Sequence, residues 1–310
     1  MIHTGHGTSP TALGRDSRPT FAFDAIGTRW SIETDTPLGT DLRRSLRRRI
    51  EDFDAVYSRF RPDSLVSRIA AASTGGRFTF PEDSRSLFDL YDRLSDLTDG
   101  AVDPLVGRDL ELLGYDSACT LTPAPAPVRA RHARTRPSWH ADVVRDGTTL
   151  TTDRPLVLDI GAAGKGHLVD IVAGLLRDAG TSRFVIDAGG DLRHSGSDLL
   201  RVGLEHPFAP DRVIGVAQLH RQSLCASATN RRAWGPGLHH VLDGRTGLPT
   251  GDVLATWAIS DDAAVADALA TALFFTEPHR LAAADRFTYV RVRSDGRVDA
   301  SPDFVGELFT

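Results

Sequence analysis

Between Arg154 and Ala300 the chain is cut by glycine and Asp-Gly steps into short apolar runs: "RPLVLDIG", "SRFVIDAGGDLRHSG", "LRVGLEH", "RVIGVAQL", "LHHVLD", "VLATWAIS" and "FTYVRVRSDGRVDA". Apolar, β-branched runs bounded this way read as strands. Where only a few residues separate two runs, the neighbours must pair antiparallel, because a parallel crossover needs a dozen residues or more. Helical periodicity interrupts the strands near 165–179 and 262–275. The expectation is an α+β fold, with mostly antiparallel sheet and packed helices in a single large domain. A chain of 310 residues that is 41% hydrophobic can supply the core such a domain needs.

The first half carries ordinary α+β signals. "FAFDAIGTRWSIE" alternates apolar and polar residues around Gly27-Thr28 and reads as a β-hairpin. In "DLRRSLRRRIEDF", Leu42, Leu46 and Ile50 form the i, i+4, i+8 stripe of an amphipathic helix whose arginines make a solvated face. "RFRPDSLVSRIAAAS" is a Pro-broken loop entering a short helix, and "PEDSRSLFDLYDRLSDLTDG" is a helix opened by Pro81 and closed by Gly100. The Pro/Ala/Arg-rich stretch at about 120–140 lacks periodicity and is expected to be an exposed loop within the domain. Residues 1–19, including His3 and His6, read as a disordered leader, leaving 20–310 as the domain.

Bulk chemistry excludes several classes. Lys and Arg number 36 against 41 Asp and Glu, a net charge of −5, so nucleic acid is not the expected partner. Two cysteines, Cys119 and Cys225, give no disulfide framework and fit a reducing compartment. With no signal-like leader and no apolar run near the ~20 residues that span a bilayer, a cytoplasmic protein without a membrane span is expected.

Five stretches could carry chemistry. In "DAAVADALATALFF", Asp267 and Thr271 lie one turn apart on one face of an apolar helix. Asp267 either caps a neighbouring backbone segment or joins Thr271 as a metal-ligand pair. In "LDIGAAGKGHLVD", an apolar strand ends at Asp159, small residues follow from Gly161 to Gly164, and Lys165-Gly166 open a helix. The N–H groups of that helix would favour an anion, although the glycines could equally serve close helix packing. The spacing is neither a Walker loop nor GxGxxG. "VIDAGGDLRHSG", with Asp187 and Asp191 beside its glycines, reads as a hairpin. "LHHVLDGRTGLP" places His239 and His240 on opposite faces of one strand, and Asp103 before Pro104 reads as a helix N-cap.

Taken in order, "AIGT", "SRFRPDS", "TDGAVDPLVG", "DIGAAGKGHLVD", "DAGGD", "CASATN", "HHVLDGRTGLP" and "ADALATALF" resemble the motifs of the FAD:protein FMN transferase family, the ApbE-like flavin transferases. The likeness runs from about Phe21 to Phe275. It implies a T-fold-like domain, FAD as substrate and a Mg2+ ion. By that resemblance the metal falls to the Ala162 carbonyl, Asp267 and Thr271, and flavin contacts fall to Ile26, Phe60, Ala101, Val102, Asp103, Asp159, Lys165 and Val241. His240 becomes the candidate for hydrogen bonding near the reacting phosphate. The implied reaction is attack by a Thr or Ser hydroxyl of an acceptor protein on the FMN-side phosphate of FAD, with AMP leaving. Alternatives are a Mg2+-dependent FAD pyrophosphatase and a non-catalytic FAD-binding carrier. The chain departs from the family pattern at Ile26 (usually Met), Phe60 (usually Tyr), Ala163-Gly164 (usually Ile-Ala), Ala228-Thr229 (usually Gly-Asp) and Gly244 (usually Pro).

Overall fold

The computed structural model describes residues 18–309, so the expectation for the leader lies outside the described residues except at Arg18 and Pro19. The Pro19 carbonyl accepts a hydrogen bond from the Thr34 N–H at 3.1 Å, and Arg18 pairs with Asp198. Strands β1 (Thr20–Ala25) and β2 (Thr28–Thr34) form the hairpin read from the sequence. Its two turn residues are left-handed, Ile26 at φ +42° and Gly27 at φ +75°. The tight turn demands this, and a β-branched residue there is strained.

Helix α1 (Thr40–Tyr57) buries Leu46 and Ile50 of the expected stripe together with Phe53 and Tyr57, while Leu42 is only partly buried against the core. Helix α2 (Leu65–Ala71) is capped by Ser64, which accepts from the Ser67 N–H. Strand β3 (Gly76–Thr79) leads to α3 (Ser84–Leu97), and a single turn, Pro104–Val106, leads to α4 (Gly107–Leu112). The 120–140 stretch is more ordered than an exposed loop. It holds α5 (Ala126–Ala133), which buries nothing, and runs into α6 (Trp139–Asp142), where Trp139 is buried and its indole N–H donates to Asp92 at 2.6 Å. The aromatic anchor outweighs the flexible composition before it. Strands β4 (Val144–Asp146) and β5 (Thr149–Thr152) join β3 in a small sheet ordered β3-β5-β4.

The next segment corrects a second expectation. Leu156, Leu158 and Ile160 are buried, but no strand forms there. The Asp159 N–H donates to the Pro104 carbonyl at 2.7 Å, so the segment is held by that contact and by packing instead of by a ladder. Helix α7 (Gly164–Asp178) follows, then the hairpin of β6 (Phe184–Asp187) and β7 (Asp191–Ser195). Strands β8 (Leu200–His206) and β9 (Ala209–Leu219) pair, and β10 (Ser223–Ala228) returns beside β7. "LHHVLD" is not one strand. It is split between the ribbons β11 (Ala233–Gly235) with β12 (Leu238–His239) and β13 (Leu242–Asp243) with β14 (Leu248–Pro249), and His240 lies between them. The chain closes with β15 (Val253–Ser260), α8 (Ala263–Ala272), α9 (Pro278–Ala282), β16 (Thr288–Arg293), β17 (Val298–Ala300) and β18 (Gly306–Leu308).

The main sheet runs β1-β2-β6-β7-β10-β15-β16-β17, and every pairing in it is antiparallel. Strand alternation sorts its side chains between two cores. Trp30, Ile32, Phe184, Ile186, Cys225 and Ala258 face α1, α3, α7 and α8. Val185, Leu192, Leu224, Ala255, Trp257 and Ile259 face the second sheet, ordered β18-β9-β8. The polar residues Asp191 and Thr256 fall on the helix side, where the site is built. Among the described residues no helix is long and apolar enough to cross a membrane.

Candidate functional site

The site forms where the N-terminal ends of α7 and α8 meet the helix-side face of β7 and β10. Close approach depends on Gly166. A Cβ there would lie 2.2 Å from the Ala263 carbonyl oxygen and 2.7 Å from the Asp267 Cβ. The Gly166 N–H instead donates to Asp267 Oδ2 at 2.9 Å. The packing reading of this turn and the capping reading of Asp267 therefore both describe real features: glycine permits the close approach, and Asp267 caps a neighbouring backbone segment.

Capping does not exhaust Asp267, since an ionised carboxylate offers about four lone-pair sites. One turn on, the Thr271 hydroxyl lies 3.4 Å from the Ala162 carbonyl oxygen and donates to it. On the sheet, Asp191 and Cys225 are cross-strand partners and point the same way. Lys165 Nζ sits 3.0 Å from Asp191 Oδ2, with Asp191 fully buried. Burial, then the Asp191 charge, holds the Asp267 carboxyl well above the ordinary range, with Lys165 opposing. Asp191 is also raised by burial against the pull of Lys165. Burial works against the Lys165 ammonium, but Asp191 and then Asp267 keep it above its usual value. Two buried carboxylates thus share one ammonium.

Asp159 anchors the neighbouring wall. Its Oδ1 accepts from the Gly161 N–H at 2.7 Å, and its Oδ2 lies 2.6 Å from Arg59 Nε. Burial would raise this carboxyl, but Arg59 outweighs it and holds it low. The Arg59 guanidinium also lies over the Phe60 ring, 4.3 Å from its centroid. Phe60 lines a cavity of about 360 Å³ together with Arg59, Pro62, Val66, Ser67 and Glu111. Lys165, Asp191, Asp267 and Thr271 are not among the residues lining it.

Ala101, Val102 and Asp103 are buried in the loop before Pro104. Asp103 is the N-cap read from the sequence: Oδ1 accepts from the Leu105 N–H and Oδ2 from the Trp139 N–H. Gly244 packs on this loop, donating to the Ala101 carbonyl at 2.8 Å. A Cβ at Gly244 would lie 2.7 Å from the Gly100 carbonyl oxygen, so this close approach needs glycine. Val241 is buried, and its N–H donates to His239 Nδ1. His239 Nε2 meets the Thr250 carbonyl at 2.8 Å, so both nitrogens of that ring have partners. His240 differs: its Nδ1 is buried without a partner, and burial, then Arg232, pushes the ring pKa down to about 3. Ile26 is half-buried in the β1–β2 turn, and Thr28, the first residue of β2, closes over Gly189.

The structure therefore gathers Ala162, Lys165, Asp267 and Thr271, with Asp159 and His240 linked to them through the charge of Arg232. Phe60, Ile26, Ala101, Val102, Asp103 and Val241 lie on the surrounding loops. Arg59, Arg232, Cys225 and Tyr91 escaped sequence reasoning as site residues. Tyr91, buried under the Ala162-Ala163 bend, has its phenol raised well above the usual value by burial, then by Asp159 and Asp267. Only Cys225 had a readable signal, its place in a strand whose alternation aims it at the helices. Among the described residues no group of three or more His, Cys, Asp or Glu side chains forms a metal cluster.

Fold and site define an α+β protein with an acid–lysine cluster buried at crossing helix N-termini. The ApbE family model matches residues 26–290, and the chain belongs to that family. It is 29% identical over 80% of its length to an FAD:protein FMN transferase of Rhodobacter capsulatus, and spans about half of that relative, 49%. A Vibrio cholerae FAD:protein FMN transferase is 27% identical over 75% of this chain and 72% of its own. The solved flavin transferase ApbE from Vibrio cholerae superposes with a TM-score of 0.79 at 22% identity, covering 93% of this chain and 98% of its own. The ApbE protein from Thermotoga maritima gives 0.78 at 23% identity, covering 92% and 97%. These structural likenesses establish the fold.

Proposed function

We propose that the chain is a Mg2+-dependent FAD:protein FMN transferase, which moves the FMN half of FAD to a Thr or Ser hydroxyl of an acceptor protein and releases AMP. The family membership and the names of the relatives support the activity. The observation that carries the reading to this chain is the charge imbalance at the α7–α8 crossing, where buried Asp191 and Asp267 face the single ammonium of Lys165.

A hard divalent cation suits that imbalance and prefers an all-oxygen donor set. The Asp267 carboxylate, the Thr271 hydroxyl and the Ala162 carbonyl would hold it, and bound there it supplies charge neutralisation for a diphosphate. Lys165, in the first turn of α7, offers its ammonium and neighbouring backbone N–H groups to the same diphosphate. Asp191 fixes the ammonium in place. His240 stays neutral at physiological pH, and its unpartnered Nδ1 is free to hydrogen bond near the reacting phosphate. Asp159, pinned by Arg59, Phe60 and the Ala101–Asp103 loop furnish the contacts for the flavin dinucleotide. In the transfer the hydroxyl oxygen bonds to the FMN-side phosphorus, the bond to the AMP oxygen breaks, and the hydroxyl proton is lost.

The test is incubation of the full chain with FAD, Mg2+ and a flavin-acceptor domain, read by intact mass. Addition of the FMN mass to one Thr or Ser is the expected result. Conversion of FAD to FMN and AMP with no protein modified would instead assign a pyrophosphatase, and tight FAD binding without turnover a carrier.

A further inference from the structure

The end of β10 has an open edge beside the site. On one side Ser223–Ala228 pairs with β15 along its whole length, but on the other β7 covers only Ser223–Cys225. The Ala226 N–H still reaches the Gly190 carbonyl at 3.2 Å. The Gly190 N–H does not return the bond to Ala226, because it donates to Asp187 Oδ1. Strand geometry then turns the Ala226 carbonyl and the Ala228 N–H outward on the side away from β15, where no strand among the described residues meets them.

We propose that the acceptor protein docks here as an added strand: an extended segment bearing the Thr or Ser lies parallel to β10 beyond Gly190. This inference rests on the transferase reading above. In a parallel pairing, one residue donates its N–H to the carbonyl of residue i−1 and accepts from the N–H of residue i+1. The Ala226 carbonyl and the Ala228 N–H present that pair of groups around Ser227. The incoming residue faces the same side of the sheet as Ser227, which by alternation is the side of Cys225, Asp191 and Lys165. The residue gripped by both bonds is thus the one whose hydroxyl enters the site. Its two neighbours face the opposite side, where Ala228, Ala255, Trp257 and Pro207 line a small recess. Glu205 and Arg231, paired with each other, and Asn230 also line that recess. Ala226, Ser227 and Ala228 are small and half-buried, and at Gly190 even an added Cβ would have nothing nearer than 3.9 Å.

A backbone N-methyl scan tests this directly with unmodified enzyme. The probe is a short synthetic peptide carrying the modified threonine of a flavin-acceptor domain, assayed by FMN mass with FAD and Mg2+. Methylation of the threonine's own N–H removes the bond to the Ala226 carbonyl and should raise the peptide KM about tenfold or more, in line with the loss of one directional hydrogen bond. Methylation of the residue immediately before or after it, whose N–H points away, should leave KM within about twofold. Equal effects at all three positions would overturn strand addition. So would modification of the intact acceptor domain when the unmethylated peptide is refused. If neither peptide nor domain gains FMN, the transferase reading itself fails.

Discussion

Asp170 and Asp267 cap each other's helices: Asp170 of α7 accepts from the Ala263 and Ala264 N–H groups at 3.1 and 2.8 Å, while Asp267 of α8 accepts from the Gly166 N–H at 2.9 Å. The exchange satisfies backbone donors that a helix start leaves unpaired and locks the two N-terminal ends together. It works because nothing projects from Gly166. Gly166→Ala is expected to destabilise the fold by about 3 kcal/mol, since its Cβ meets backbone that cannot easily yield. Gly174→Ala, in the same helix with nothing within 4 Å of the added carbon, should stabilise by about 0.5–1 kcal/mol. Urea midpoints of the two variants check the contrast. Equal effects would show that the α7–α8 contact is not tight.

Asp267→Asn separates the structural part of that residue from the chemical part. The amide oxygen can still accept from Gly166, and the change removes one of two crowded buried charges. Without divalent ion the variant should therefore melt no lower than the parent. Stabilisation by added Mg2+ should disappear, and FMN transfer should fall by about 100-fold or more, the usual scale for losing a charge that serves the transition state. Thermal melts with and without Mg2+, together with the mass assay, measure both. A Mg2+ shift as large as in the parent would remove Asp267 from the metal site.

Much of this geometry was legible in the chain, for reasons that differ by residue. The hairpins at Gly27 and Gly189-Gly190 followed from turn chemistry, which is local. The Asp267–Thr271 face followed from helical spacing and Asp103 from its place before Pro104. Leu156–Ile160 misled because an apolar run reads the same whether its backbone bonds a strand or one carbonyl of another loop. In the 120–140 stretch the exposure was legible, since α5 buries nothing, but the buried Trp139 that anchors its end was not. Arg59 was invisible as a site residue because its partner, Asp159, lies a hundred positions away, and pairings at that distance leave no periodic trace.

Acid should weaken the fold through its buried histidines. Burial lowers His167, and burial followed by Arg232 pushes His240 down to about 3. Between an unfolded value near 6.5 and these folded values, the unfolded chain binds more protons. Stability is then full above about pH 6.5 and is lost as pH falls through that window. The slope is at most ~1.4 kcal/mol per pH unit for each histidine. The raised carboxyls of Asp191 and Asp267 favour the folded chain over the same fall in pH, so the histidine share is read by difference: in urea melts at pH 7 and pH 5, His240→Gln should lose less stability on acidification than the parent. An unchanged difference in the variant would mean that His240 is protonated in the folded protein.

Arg59 holds the wall of the site by an ion pair that is almost dry, with its side chain 4% exposed and that of Asp159 18%. It also donates to the Tyr115 carbonyl at 2.8 Å and covers the Phe60 and Tyr115 rings. Arg59→Met strands the Asp159 carboxylate and should cost about 3 kcal/mol, within the range for breaking a buried pair from one side. Adding Asp159→Asn removes the stranded charge, so the double variant should recover roughly 2 kcal/mol and stay short of the parent by the lost Tyr115 bond. The double-mutant cycle from urea melts gives the coupling. Simple additivity would show that Asp159 keeps its charge solvated without Arg59, and that the guanidinium serves the aromatic wall beside Phe60 instead.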